Sequence, residues 1–215
     1  IDVLVVSADR AASAQRAEGN LFLRFEVEPP NPYVGQQFTV TSYLYSRVRV
    51  EGVRSISFPE AKGVWWVNLD DKTRGGSAVV ELGGVAFRRH FLGRTAGFAD
   101  RAGEVVLAGG SAIVQILDGD LFRGGVTERQ IQAEARRVTL RPLPPRVNAQ
   151  QVGTYRVRGR LDRDSVNVGD IVELTVEVSG AGNIDAFPIP KVDLPEGLRG
   201  FSPKRSVESS KDPVT

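Results

Sequence analysis

The chain contains no cysteine and no methionine, and its single histidine is His90. Without cysteine there are no disulfides, thiolate metal sites or cysteine nucleophiles, and a lone histidine excludes multi-histidine metal centres. The missing cysteine does not place the protein in a compartment, because cytosolic and envelope proteins alike can lack it. Without methionine the chain carries no initiator, so Ile1 is expected to be a cleavage or imposed boundary. Long apolar runs are also missing. The longest uncharged apolar-rich run near the middle, Val105 to Leu117, has 13 residues and includes Gly109, Gly110 and Gln115. A bilayer-spanning helix needs about 20. No secretory leader is visible, and any targeting or anchoring segment is expected outside the sequence. Neither charge predominates: 28 Lys and Arg stand against 26 Asp and Glu, a net charge of +2. That balance is wrong for a dedicated polyanion binder.

What is present fits a packed β protein. The 215 residues are 41% apolar and 25% charged, enough for a core and for one large or two ordinary domains. Apolar residues recur with a period of two, the signature of half-buried strands. Leu21, Leu23, Phe25 and Val27 make one such set, and Phe38, Val40, Ser42 and Leu44 a second. Val85, Phe87 and Phe91 belong to a third; Val172, Leu174, Val176 and Val178 form the cleanest. Turn signals separate these runs: Pro29-Pro30-Asn31-Pro32, Arg74-Gly75-Gly76-Ser77, Leu82-Gly83-Gly84, Arg123-Gly124-Gly125 and Ser179-Gly180-Ala181-Gly182-Asn183. Thr127-Glu128-Arg129-Gln130 also fits a helix capping box. The alternation of Ile131, Ala133 and Ala135 favours a strand, with a bulge where parity slips at Arg136-Arg137.

An internal repeat organises the chain. Tyr33-Val34-Gly35-Gln36-Gln37-Phe38, with its flanking strands, has a counterpart in Asn167-Val168-Gly169-Asp170-Ile171-Val172, displaced by 134 residues. Val27 matches Leu161, Phe38 matches Val172 and Leu44 matches Val178. Each copy reads as strand, Val-Gly-polar corner, strand, with the glycine supplying a tight or positive-φ corner. Such a unit commonly opens a β-sandwich. The expectation is therefore an all-β chain of tandem immunoglobulin-like β-sandwich domains. Residues 1–20 read as the last strand and linker of a preceding domain. Residues 21–147 form a sandwich with extra strands or loops, and 148–215 a second one lacking its final strands. Arg141-Pro142-Leu143-Pro144-Pro145 is the stiff linker between them.

The motifs also line up in order. Tyr33-Val34-Gly35-Gln36-Gln37-Phe38 precedes Tyr43-Leu44-Tyr45, then Phe58-Pro59 and Gly63-Val64-Trp65-Trp66. Val138-Thr139-Leu140-Arg141-Pro142-Leu143-Pro144 and Gln151-Val152-Gly153-Thr154-Tyr155 follow. Val168-Gly169-Asp170, Val178-Ser179-Gly180-Ala181-Gly182-Asn183-Ile184, Pro188-Ile189-Pro190 and Leu194-Pro195-Glu196-Gly197-Leu198 complete the set. Across nearly the whole chain this resembles the BatD family of bacterial oxygen-tolerance (aerotolerance) proteins. The resemblance implies periplasmic or otherwise extracytoplasmic immunoglobulin-like domains, held to the membrane by an anchor outside this sequence. It also implies a scaffold role in envelope stress beside von Willebrand factor A domain membrane proteins and a MoxR-type ATPase. It brings no catalytic residues and no cofactor. The sequence departs from the family at Ala149-Gln150-Gln151-Val152-Gly153, where relatives show a Gly-Ala-Val-Gly run.

Chemistry-bearing residues are few. His90 has no partner for a metal site and reads as a strand residue on a polar face. Asp70-Asp71, Asp118-Gly119-Asp120 and Asp162-Arg163-Asp164 offer paired carboxylates, or oxygens for calcium, but Asp-Gly is also an ordinary turn. No Gly-x-Ser-x-Gly or phosphate-loop spacing occurs, so no catalytic or nucleotide site is expected. Arg156, Arg158 and Arg160 fall on one face of a strand, a basic stripe that reads first as a solvated strand face and second as a dock for a carboxylate-rich partner or a phosphate headgroup. No aromatic residues interleave them, which argues against nucleic acid. Trp65 and Trp66, as strand neighbours, point to opposite faces. The resemblance assigns Trp65 to the core; Trp66 is the candidate partner-binding residue where it points outward, with burial against an extra loop of this long domain the favoured alternative. The leading expectation is a non-catalytic interaction module whose contacts include Trp66 and the arginine stripe. The alternative is a carbohydrate-binding or adhesion module using Trp66, Tyr43 and Tyr45. Strand exchange through Val3 to Val6 with a second copy, giving a homodimer, is a further expectation.

Overall fold

A computed structural model describes residues 4–5, 19–69, 76–118 and 125–208. Among the described residues the regular elements are thirteen β-strands and one short 3₁₀ turn. The chain is all-β, as the alternation predicts. The first strands are β1 (Leu4–Val5), β2 (Leu21–Glu28), β3 (Phe38–Ser46), β4 (Val50–Ser57) and β5 (Val64–Leu69). Then come β6 (Ser77–Leu82), β7 (Val85–Ala99), β8 (Gly103–Leu107), β9 (Ser111–Asp118), β10 (Gly125–Gln132) and β11 (Arg136–Leu140). The 3₁₀ turn, Ala149–Gln151, leads into β12 (Gly153–Leu161) and β13 (Leu174–Gly182).

Strands β1, β2, β3, β5, β6 and β7 form one six-stranded sheet of order β1-β6-β7-β3-β2, with β5 also pairing β7. At 15 residues, β7 is long enough to hold β6 at one end and β5 at the other on the same edge. A one-residue irregularity between Ser42 and Tyr43 leaves Leu92 outside the ladder, since Ser42 pairs Gly93 and Tyr43 pairs Phe91. Such a bulge bends the strand without losing its register. Strands β4, β9 and β10 make a second sheet, and β8 and β11 a third.

The core lies between the inner face of the large sheet and these smaller sheets. Phe25, Val27, Phe38 and Val40 pack with Leu107, Val138 and Leu140. Leu23 and Leu44 pack with Ala112, Val114 and Ile116. The two layers bury opposing apolar faces, a sandwich-like arrangement in which alternate residues of each strand point inward.

Two sequence expectations change here. The segment after Thr127 is strand, as preferred over helix, but the parity slip is not a bulge. Strand β10 pairs β9 and β11 pairs β8, so Ala133 to Ala135 carry the chain from one sheet to another. At the start, Leu4 pairs Val80 and Val5 pairs Glu81 in parallel, so these two residues extend the large sheet of the same chain. They are not a strand of a separate preceding unit. The rest of the 1–20 assignment falls mostly outside the described residues, as do Asp70-Asp71, Gly119-Asp120, the turns at Arg74-Gly75 and Arg123-Gly124, and the end of the tail after Glu208.

The repeat is present in the backbone. Val27 pairs Val40 and Leu21 pairs Ser46 in the β2–β3 hairpin. Leu161 pairs Leu174 and Tyr155 pairs Gly180 in the β12–β13 hairpin, the same register at the same 134-residue offset. Gly35 and Gly169 hold φ of 74° and 99°, the left-handed corner that glycine adopts without a Cβ clash. The Pro-rich segment after β11 is tied to the first of these corners. Arg141 donates its N–H to the Pro32 carbonyl at 2.8 Å, and its carbonyl accepts from Val34 N–H at 3.0 Å.

Candidate interaction surface

Trp65 leaves the core place expected of it, while Trp66 is turned inward against the core, its favoured alternative. Trp66 pairs Gly97 on the inner face and meets Phe38 edge-on, with ring centroids 5.7 Å apart. A Cβ at Gly97 would lie 2.5 Å from Phe38 Cζ and 2.9 Å from Trp66 Cζ3, so the glycine is what lets both rings reach the core. The Trp66 indole N–H is buried without a hydrogen-bond acceptor. Trp65 lies on the outer face against Phe98, centroids 5.4 Å apart, and is 51% exposed. Parity along β5 is set by its register with β7, which adjacent tryptophans cannot reveal. The outward aromatic available to a partner is therefore Trp65, and Trp66 is half-buried against the core.

The outer face of the large sheet holds a feature absent from the sequence reading. Phe22 stacks on Tyr45 at 5.0 Å with an interplanar angle of 2°, and meets Phe87 edge-on at 5.4 Å. Tyr43 links Tyr45 to Phe91 through centroid distances of 6.4 and 5.9 Å. Arginines overlie this lattice: Arg24 above Phe22 and Tyr45 at 5.6 and 5.5 Å, Arg89 above Tyr43 at 4.5 Å, and Arg94 above Phe91 at 5.5 Å. Each guanidinium faces the negative side of a ring. The Tyr45 hydroxyl donates to Glu26 Oε1 at 3.2 Å, and Arg89 Nη1 stands 3.9 Å from the same oxygen. Burial first, and Glu26 second, push the Tyr45 hydroxyl up to about 12, against a smaller pull from Arg89. Tyr45, Val80, Leu82 and Phe87 are buried, making a further apolar cluster on this side of the sheet. The lattice is thus aromatic packing and not an open sugar platform. Of the carbohydrate candidates, Tyr45 is buried, while Tyr43 and Trp66 are half-buried, Trp66 packed against the core.

The predicted arginine stripe is assembled. Arg156, Arg158 and Arg160 occupy one face of β12, opposite Ser179, Glu177 and Thr175 on β13, and all three are exposed. His90 is half-buried; its Nε2 lies 3.1 Å from the Ser46 hydroxyl. Burial, and then Arg88, lower its pKa, so the ring is neutral at pH 7. Asp162 caps the second hairpin: its Oδ1 accepts the Glu173 N–H at 2.8 Å, the main cause of its lowered pKa. That hydrogen bond gives the carboxylate a turn-closing role. An open groove of about 790 Å³ runs past Phe58, Glu60, Lys62 and Glu104, and Glu104 is already held by Arg137 at 2.7 Å.

Among the described residues no group of three or more His, Cys, Asp or Glu side chains is placed to hold a metal ion. No helix among them is long and apolar enough to cross a membrane. No protein-family model, curated protein or solved structure matches the chain.

Proposed function

We propose that this chain is a non-catalytic, extracytoplasmic interaction module of the BatD type, built from tandem immunoglobulin-like β-sandwich units. In this reading it serves as a scaffold for von Willebrand factor A domain membrane proteins, working with a MoxR-type ATPase in envelope stress or oxygen tolerance. The full-length protein is membrane-anchored outside this sequence. The observation that carries the reading is the hairpin repeated at one register, with the Val-Gly corners of the ordered motifs at equivalent places. The residues that stand free of the core are those of a docking surface: Trp65 on one sheet face, and Arg156, Arg158 and Arg160 on another. The guanidiniums suit a carboxylate-rich partner, and Trp65 offers the amphipathic contact area that anchors interfaces.

The test is capture from detergent-solubilised membranes of the source bacterium, with the chain as bait and mass spectrometry as readout. Enrichment of von Willebrand factor A domain proteins is expected. It should fall roughly tenfold when Arg156, Arg158 and Arg160 are replaced together by serine, the scale of a few interface charges. Failure to enrich that class, or enrichment of glycan-bearing material that depends on Trp65, overturns the reading in favour of a carbohydrate-binding module.

A further inference from the structure

The pairing of β4 with β9 runs on past the end of β4. Ser57 pairs Ser111, and three residues further along each chain Glu60 forms an antiparallel bridge with Ala108 in the same register. In that register the next places beside β8 fall to residue 62, opposite Val106, and to residue 64, opposite Glu104. The chain does not take them. Lys62-Gly63 turns away, with Gly63 at φ of 75°, and Val64 pairs Ala99 in the large sheet. Strand β8 therefore has β11 on one edge, and among the described residues no strand lies beside Glu104 to Val106 on the other.

The main-chain groups on that edge follow from the bridge. Ala108 donates its N–H to the Glu60 carbonyl at 3.1 Å and accepts the Glu60 N–H at 2.9 Å, so its polar groups point away from β11. Backbone groups alternate sides along a strand. Those of Val106 and Glu104 thus point the same way, while those of Leu107, Val105 and Gly103 serve β11. The open groove of about 790 Å³ lies along this edge. Its floor is apolar: Phe58 rests on Gly93, where a Cβ would lie 2.7 Å from Phe58 Cζ, and Val105 packs against the core. Its ends are clear, since a Cβ at Gly103 or Gly109 would meet nothing within 4 Å. Other edges of the unit are guarded. Strand β1 lies along β6, the Phe25 carbonyl on β2 accepts from Arg136 Nη1 at 3.1 Å, and β4 breaks register twice.

We propose that this edge is a strand-addition site, taking an extended, uncharged segment of a partner protein antiparallel to β8 in the line that Glu60 begins. Main-chain donors and acceptors repeating every second residue, roughly 7 Å apart, are complemented by another extended backbone. The rim is electrically balanced, Glu60 and Glu104 against Lys62 and Arg137. A segment of one charge sign would meet its own sign there, and a neutral one is matched. Every second side chain of the segment faces Phe58 and Val105, which suits β-branched apolar residues. The first unit's own ends are engaged elsewhere. Strand β1 is held by β6 in the large sheet, and the chain leaves β11, on the other side of β8, through the Arg141–Pro32 hydrogen bond. The proposal does not depend on the arginine stripe or on the partner class named above.

A phage-displayed library of linear heptapeptides, panned on the full chain, supplies the probe. Enrichment of uncharged peptides with β-branched residues at alternate positions is expected. In the free chain the Val106 and Glu104 amides should exchange roughly tenfold faster than those of Val105 and Leu107, and should slow by a similar factor when a selected peptide binds. Val106→Pro removes a groove-facing N–H and leaves the β11 ladder whole; Val106→Lys guards the edge with a charge. Val106 is 45% exposed, so both variants should keep the parent's circular dichroism, and the lysine variant carries the test where the proline one does not fold. Each should weaken peptide binding by roughly tenfold or more, and Arg158→Glu should change it by less than about threefold. Failure to enrich any peptide overturns the proposal, as does a selected peptide that binds the Val106 variants as well as the parent. So do Val106 and Glu104 amides already as slow as Val105 in the free chain, which would mean that the chain itself or a second copy fills the edge. Partner capture through the arginine stripe is read separately from all of these.

Discussion

Asp170 accepts the backbone N–H of Asn167 on its Oδ2 at 3.0 Å, while its own N–H donates to the Asn167 carbonyl at 3.1 Å. At the 134-residue offset, Gln36 accepts the Tyr33 N–H on its Oε1 at 2.9 Å and donates its N–H to the Tyr33 carbonyl at 3.0 Å. The two corners share a mechanism although aspartate replaces glutamine. A polar side chain three residues on satisfies the first N–H, and a positive-φ glycine between them reverses the chain. This kind of local closure fixes hairpin register before any tertiary contact exists.

The corners differ in their surroundings, and that difference predicts different costs for the same substitution. A Cβ at Gly35 would run into the Ala149 carbonyl, whereas one at Gly169 meets nothing within 4 Å. Gly169→Ala should therefore cost only the strain of a left-handed alanine, about 1 kcal/mol. Gly35→Ala adds a backbone collision and should cost at least twice that, roughly 2–4 kcal/mol. Urea unfolding of the first unit measures the Gly35 variant, and hydrogen exchange in β12 and β13 measures the Gly169 variant. Equal small effects would mean that Ala149 does not rest on the first corner.

The tryptophans give a second prediction. Trp66→Ala should destabilise the first unit by about 3 kcal/mol, because it empties the site beside Phe38 and Gly97. Trp65→Ala removes an exposed ring on Phe98 and should cost about 1 kcal/mol or less. An aqueous quencher should reach one of the two indoles, and the quenched signal should vanish with Trp65. Quenching that vanished with Trp66 instead would reverse the inward and outward sides of β5.

The sequence made the strands legible because alternation has a period of two and turn residues punctuate it. It made the repeat legible because Gly35 and Gly169 anchor one alignment. That Trp65 points outward was not legible, since which neighbour points inward depends on pairing with Gly97, a residue 31 positions away from Trp66. Nor was the aromatic–arginine lattice. Phe22, Tyr43, Tyr45, Phe87 and Phe91 come from three strands; Phe22, Tyr43 and Tyr45 sit at positions that read as the outer, solvated side, and Phe87 and Phe91 in an apolar set whose partners alternation does not name. The sheet is instead packed at one end of that side too, through Val80 and Leu82. The change of sheet after Gln132 showed only as a slip in parity, which a bulge explains equally well until partners are known.

That packed outer side has a pH signature. The Tyr45 hydroxyl is held at about 12 against its ordinary 10.0 by burial and by Glu26. The folded state therefore keeps a proton that the unfolded state releases. The stabilisation is complete below pH 10 and is lost as pH rises from 10 to 12. A hydroxyl raised from 10.0 to about 12 bounds the loss at roughly 3 kcal/mol. Tyr45→Phe should remove this alkaline sensitivity and the highest-pH phase of the tyrosinate absorbance titration. It should also lower stability near neutral pH by about 1 kcal/mol, the worth of the hydrogen bond to Glu26. If the alkaline loss persists undiminished in Tyr45→Phe, some other group governs it, and the Phe22–Tyr45 stack is not where the outer face responds to pH.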